Sequence, residues 1–301
     1  MKKVFFIALM LATTVASIHA QLLYKISGKD LKAPSYIVGT YHLAPVSFVD
    51  SIPGIREALT NTEQVCGELD MTDMMKPENI KKMTDAMLMP DGKTITGMLS
   101  AEEQVRFNKL LKNLMGADMS NPMVKAQLDK VSPQALNTQL SVLMYLKHSQ
   151  GFDPTHLFDG YFQDFAKKNN EPIIGFESID LQINVLFKSI PLERQKQLLM
   201  CLVDNPDYFD MVSEQLSKAF FAQDLKKMEE VINMKRNDSC DETKEEHEIL
   251  FDKRNADWIA KMPAIMAAKP TFFAVGAGHL PGDKGVLHLL EEAGYHVEAV
   301  K

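Results

Sequence analysis

Two histidines stand three residues after a glycine in similar settings, Gly39-Thr40-Tyr41-His42 and Gly276-Ala277-Gly278-His279, each following an apolar run. Two more apolar runs end on carboxylates, Glu68 and, in Gly175-Phe176-Glu177, Glu177. Neutral imidazoles and carboxylates are the ligand types that hold a catalytic divalent ion while leaving a position open for water. A motif as short as GxxH recurs by chance, and a lone histidine after a strand is commonly structural. The weight comes from the repeat, each time behind an apolar run. Gly39, Gly276 and Gly278 would allow the sharp turn or positive φ that brings a side chain back over a strand end. Arg254 is the fifth candidate. It lies one helical turn from both Leu250 and Trp258, on the apolar stripe that continues through Ile259, Met262 and Ile265. A guanidinium there either snorkels or pairs with a structural carboxylate, or it reaches a polar pocket to clamp a substrate carboxylate or stabilise an oxyanion.

These groups meet only if the strands that carry them run parallel, because side chains just beyond the carboxyl ends of parallel strands converge on one crevice. Short apolar runs at 36–38, 65–69, 172–176, 271–275 and 295–300 read as strands, several continuous enough for a sheet covered on both faces. Helical spacing appears at Phe107, Leu110, Leu111, Leu114 and Met115 behind a Ser100/Glu103 capping box. It recurs from Ile179 to Ile190, stopped by Pro191, and from Val286 to Ala293, closed by Gly294. The expected fold is α/β (α+β), with a central mixed sheet built from N-terminal, middle and C-terminal strands. Large helical insertions fall at about 72–150 and 192–268. No solenoid period or low-complexity linker divides residues 21–301, which read as one domain.

The chain has 40 acidic and 33 basic residues and a net charge of −7, so it lacks the basic surplus that binds a polyanion, and no nucleic-acid partner is expected. Residues 1–20 have the charged start, apolar middle and small-residue end of a secretory signal, with cleavage expected after Ala20. No later run reaches the ~20 apolar residues of a membrane span. An exported, periplasmic or secreted protein is expected. In that compartment an odd set of three cysteines permits one disulfide. Cys66, inside a strand-like run, reads as a buried residue, which leaves Cys201 with Cys240 as the pair. Ten of the 19 methionines fall within residues 71–123, as core filling or as an adaptable groove. The run 235–248, rich in Glu and Lys, reads as a solvated loop and helix start. HExxH, P-loop, GxSxG and CxxC motifs are absent from the sequence.

In its ordered motifs the chain resembles the TraB/GumN family, whose wider relatives include the Tiki metalloproteases and the erythromycin esterases. The resemblance rests on Val38-Gly39-Thr40-Tyr41-His42-Leu43, Glu68-Leu69-Asp70, Gly175-Phe176-Glu177-Ser178, Arg254-Asn255, and Val275-Gly276-Ala277-Gly278-His279-Leu280-Pro281-Gly282. It implies a mixed α/β fold in which His42, His279, the acidic residues Glu68 and Glu177, and Arg254 form one active centre. It also implies an exported metal-dependent hydrolase, a Tiki-like peptidase acting on a peptide or protein. His42, His279 and one of the two glutamates, with Glu68 as the first choice, would hold Mn, Co or Zn and activate a water. The other glutamate would serve as base and Arg254 as oxyanion stabiliser. Tiki proteins are membrane-anchored, whereas this sequence carries only the N-terminal signal. The alternatives are a protein that sequesters a peptide, metal or cofactor in the same crevice, and a metal-independent esterase.

Overall fold

Residues 21–147, 152–153 and 155–301 are described by a computed structural model of the chain; the expected signal at 1–20 lies outside them. Six strands form one sheet: β1 (Leu23–Ser27), β2 (Ser35–Thr40), β3 (Gln64–Gly67), β4 (Ile173–Gly175), β5 (Thr271–Gly276) and β6 (His296–Ala299), in the order β4-β3-β5-β2-β1-β6. Strands β2, β5, β3 and β4 are mutually parallel, while β1 is antiparallel to both β2 and β6. The parallel core accounts for the continuous apolar runs. Every residue of β2 and β3, and all but the last of β5, is buried, as befits strands covered on both faces. Five of the strands fall where the apolar runs predicted them. β1 was not anticipated, because Lys25 and Ser27 break its apolar character and only Leu23 and Ile26 are buried.

Register delivers the site. Thr40 pairs with Gly276, and Gly67 pairs with both Ala274 and Gly175, so the chain leaves β2, β3, β4 and β5 at one sheet edge. Gly39 serves here by close approach and not by positive φ. A Cβ on it would come within 2.9 Å of both the Ala277 Cβ and the Leu280 Cδ1, a separation that real side chains do not tolerate.

The mixed α+β class with helical insertions is borne out. Between β3 and β4 the chain forms helices that include Ala101–Met115, capped by the Ser100/Glu103 box, and Pro133–Leu146. Between β4 and β5 come Leu192–Asp204, Pro206–Phe221, Leu225–Ile232 and Lys253–Ala268. The two insertions pack together through a core of their own, with Phe107, Leu111, Leu136, Leu140, Leu199 and Leu202 buried. Two expectations are corrected. The helix read from Ile179 to Ile190 ends at Ile183 and continues as a π-turn, Asn184–Lys188, and a second π-turn, Glu248–Asp252, precedes Lys253–Ala268. The methionines of 71–123 divide: Met89 and Met119 are buried, Met75 and Met123 exposed.

Cys201 and Cys240 are disulfide-bonded with Cα atoms 5.7 Å apart, and Cys66 is free and buried. The bridge ties the helix Leu192–Asp204 to the loop ahead of Thr243 and closes a 39-residue separation. By the chain-entropy argument such a loop stabilises by about 2–4 kcal/mol. Reduction with dithiothreitol, or Cys240→Ser, is therefore expected to lower stability by about that amount in urea unfolding. Unchanged stability on reduction would show that the loop is held without it.

Candidate active site

Arg254 is the second residue of the helix Lys253–Ala268, which follows the π-turn, and its guanidinium lies where β3, β4 and β5 end. All five of its N–H donors are engaged. Nε donates to Glu177 Oε1 at 2.7 Å and Nη2 to Glu177 Oε2 at 3.2 Å. Nη2 also donates to Glu68 Oε2 at 2.5 Å, while Nη1 reaches the Leu250 carbonyl at 3.1 Å and His279 Nε2 at 2.9 Å. A guanidinium has five N–H groups, so none is left for a substrate carboxylate or an oxyanion. Of the readings open for Arg254, this arrangement matches pairing with structural carboxylates.

The two glutamates, equivalent in sequence, are separated by their surroundings. Glu177 has no solvent-accessible side-chain surface, and Trp258 Nε1 donates to its Oε1 at 2.8 Å. It stands behind Arg254, beside Phe176, whose ring stacks on Trp258 with centroids 5.2 Å apart. The Glu68 side chain keeps 18% of its surface accessible. Its Oε1 accepts the Gly276 N–H at 2.8 Å, and its Oε2 accepts Gln182 as well as Arg254. Burial works to raise the Glu68 pKa, but His279, Arg254 and the Gly276 amide outweigh it and hold the carboxyl below its ordinary value.

The two histidines differ as sharply. His279 sits in the short turn after β5, 4% exposed. Its Nδ1 lies 2.6 Å from Asn255 Oδ1, and Asn255 is oriented by donating to the Lys284 carbonyl at 2.8 Å. An amide oxygen only accepts, so Nδ1 carries the proton and Nε2 offers its lone pair to Arg254. Burial, with Arg254 adding to it against the pull of Glu68, pushes the imidazole down to about 4. His42, in the turn after β2, keeps 72% of its side chain accessible, and its Nδ1 lies 2.6 Å from Asp159 Oδ2. The Asp159 carboxylate, by charge and hydrogen bond, pushes His42 up to about 9. Asp159 itself is opposed by burial, yet His42 and the Thr40 hydroxyl, which donates to Oδ1, keep it ionised. Near neutral pH the site thus pairs an imidazolium, His42, with a neutral imidazole, His279.

These groups share one crevice of about 500 Å³, within the ~300–1,000 Å³ range of ligand clefts. His42, Glu68, Arg254 and His279 all line it, and Glu177 does not. The predicted ligand trio His42, Glu68 and His279 does not form a metal site in this arrangement. Among the described residues no cluster of three or more His, Cys, Asp or Glu side chains suits an ion. The lone pairs of His279 Nε2 and Glu68 Oε2 are spent on Arg254, a cation already standing between them. Sequence reasoning missed Asp159, in the first turn of the helix Phe158–Lys168. An acidic residue in a first turn is ordinary helix chemistry and carries no mark of a histidine 117 positions away. Asn255 was visible in its motif, but its hold on His279 was not.

The TraB/PrgY/gumN family model matches residues 22–299. Among curated proteins, the chain is 24% identical to the metalloprotease TIKI2 of Danio rerio over 306 residues, covering 88% of this chain and 58% of that protein. It is likewise 24% identical to the metalloprotease TIKI2 of Xenopus tropicalis over 303 residues, covering 88% and 57%. The chain thus spans somewhat more than half the length of these relatives. No solved structure matches significantly.

Asp159→Asn is expected to return His42 toward its ordinary pKa near 6.5, read by NMR titration of the imidazole. The raised pKa contributes stability that is complete below about 6.5 and lost as pH rises through about 9. The variant should therefore lose that pH dependence between 6.5 and 9, and an unmoved His42 titration would refute the pairing. Arg254→Met leaves the buried Glu177 charge unpaired, and urea unfolding should record a loss of about 3–5 kcal/mol.

Proposed function

Because the chain belongs to the TraB/PrgY/gumN family, we propose that it is a hydrolase whose reaction takes place at His42 and Glu68 in the strand-end crevice, on a peptide or protein substrate. The single observation that carries this reading is the opposed environment of two groups on one wall. Glu68 is an ionised carboxylate with an Oε1 lone pair beyond the Gly276 contact, and His42 is an accessible imidazolium held by Asp159. Groups whose surroundings drive their protonation states apart are the pattern of an acid–base pair.

In this reading Glu68 takes a proton from a water as its oxygen attacks the substrate carbonyl. His42 Nε2–H stabilises the developing oxyanion and passes its proton to the leaving amine. Both groups then exchange protons with solvent, which restores the carboxylate and the imidazolium. Arg254 keeps Glu68 ionised and in place; His279, fixed by Asn255, completes its shell. Glu177 anchors Arg254 from behind and is not the base.

A second reading follows the metalloprotease relatives. It keeps His42, Glu68 and His279 as ligands of Mn, Co or Zn, and it is favoured by the Nδ1 bonds to Asp159 and Asn255, since ligating histidines commonly donate their other nitrogen in this way. It requires Arg254 to release His279 and Glu68.

Export also belongs to the proposal, with residues 1–20 as a signal and 21–301 as one domain. The Cys201–Cys240 disulfide supports an oxidising compartment. Among the described residues, no helix is long and apolar enough to cross a membrane.

The test is a peptidase assay on the purified protein, run with chelator and with added Mn, Co or Zn. Wild type should cleave with an alkaline limit near pH 9, and His42→Ala and Glu68→Gln should each lower kcat by about 10²–10⁴. Activity abolished by chelator and restored by one metal would select the second reading. Unchanged activity in both variants would remove these residues from the mechanism.

A further inference from the structure

Beside its charged groups the crevice is lined by apolar side chains, among them Met74, Val185, Leu186, Leu216, Leu250 and Phe251. Four of these come as two neighbouring pairs, Val185-Leu186 and Leu250-Phe251, and each pair lies within a π-turn, Asn184–Lys188 or Glu248–Asp252. Neighbours on an α-helix point about 100° apart, so two adjacent residues facing one cavity take the whole width of an ordinary apolar stripe. π-turns are rare and concentrate at functional sites. Here two of them, from separate parts of the chain, pack together and line the same wall. Leu186 remains 39% exposed.

Charge complementarity narrows the occupant. His42, Asp159, Glu68 and Arg254 are the charged side chains lining the crevice among the described residues, and they are paired with one another at the strand-end side. The apolar lining side chains offer no further ionic partner, so a charged group entering among them would lose water without compensation. A large apolar group would instead remove exposed leucine and methionine surface from water.

Resting on the hydrolase reading above, we infer that this wall is a specificity subsite for one large apolar side chain, leucine, methionine or phenylalanine, next to the bond presented to Glu68 and His42. Leu186 and Leu216 are its specificity-determining residues.

The test uses a nine-residue host peptide of Gly, Ser and Ala carrying one varied residue, Leu, Met, Phe, Asp or Lys. Binding is followed by saturation-transfer NMR, and cleavage is followed in the same samples by chromatography. The Leu, Met and Phe peptides should bind at least about tenfold more tightly than the Asp and Lys peptides, the low end of what a hydrophobic pocket discriminates. Leu186→Asp should erase the preference while circular dichroism stays unchanged. Should that variant fold poorly, Leu216→Ser supplies the same comparison, and the wild-type ranking is decisive alone. Equal binding across the set, or a preference for a charged residue, would overturn the subsite. Selective binding without cleavage keeps the apolar subsite and removes the hydrolase reading. Cleavage without side-chain preference does the reverse, and no binding to any peptide overturns the subsite.

Discussion

The guanidinium of Arg254 is the constraint on which the rest of the site depends. It joins Glu68 after β3, Glu177 after β4 and His279 after β5, and it closes on the Leu250 carbonyl of the π-turn ahead of it. Each contact alone would be a costly burial of charge. Together they satisfy all five donors, and a guanidinium stays protonated at any working pH. The low-dielectric setting that makes an unpaired partner expensive makes the completed network rigid. That rigidity turns three separate strand ends into one surface.

The division of labour among the ionisable groups follows from where each stands relative to that cation. Glu177 is enclosed between Arg254 and Trp258 and has no route to water. Glu68 lies on the crevice side and retains an accessible oxygen. His279 is buried against Trp258, with ring centroids 4.4 Å apart, and stays neutral. His42 is far enough into solvent to be governed by a carboxylate of its own, Asp159. The centre therefore holds two carboxylates in different surroundings and two imidazoles driven to opposite charge states, a separation that chemically equivalent groups in water do not show.

Around this polar edge the scaffold is conventional in its physics. Parallel strands covered on both faces supply the apolar runs, and the helical insertions bury a core of their own. The unusual element is the pair of π-turns. They break helical phase where regular spacing was expected and present adjacent apolar residues to the crevice beside its charged groups.

The amino-acid sequence by itself determined the strands that carry the site, because continuous apolar runs and capping residues are local signals. It also determined which side chains stand at the strand ends: His42, Glu68, Glu177 and His279 were legible from their spacing after those runs. The Cys201–Cys240 pair was legible from elimination and compartment. Parallel pairing and register, which make those ends coincide, depend on contacts hundreds of residues apart and were decided only in the tertiary structure. So was the difference between Glu68 and Glu177, since both follow a strand and only packing puts one behind Arg254. Asp159 lay beyond sequence reasoning for the same reason. An acidic residue in the first turn of a helix looks like any other until the fold brings His42 against it, and its effect on charge comes from a distance of a few ångströms that no local pattern encodes.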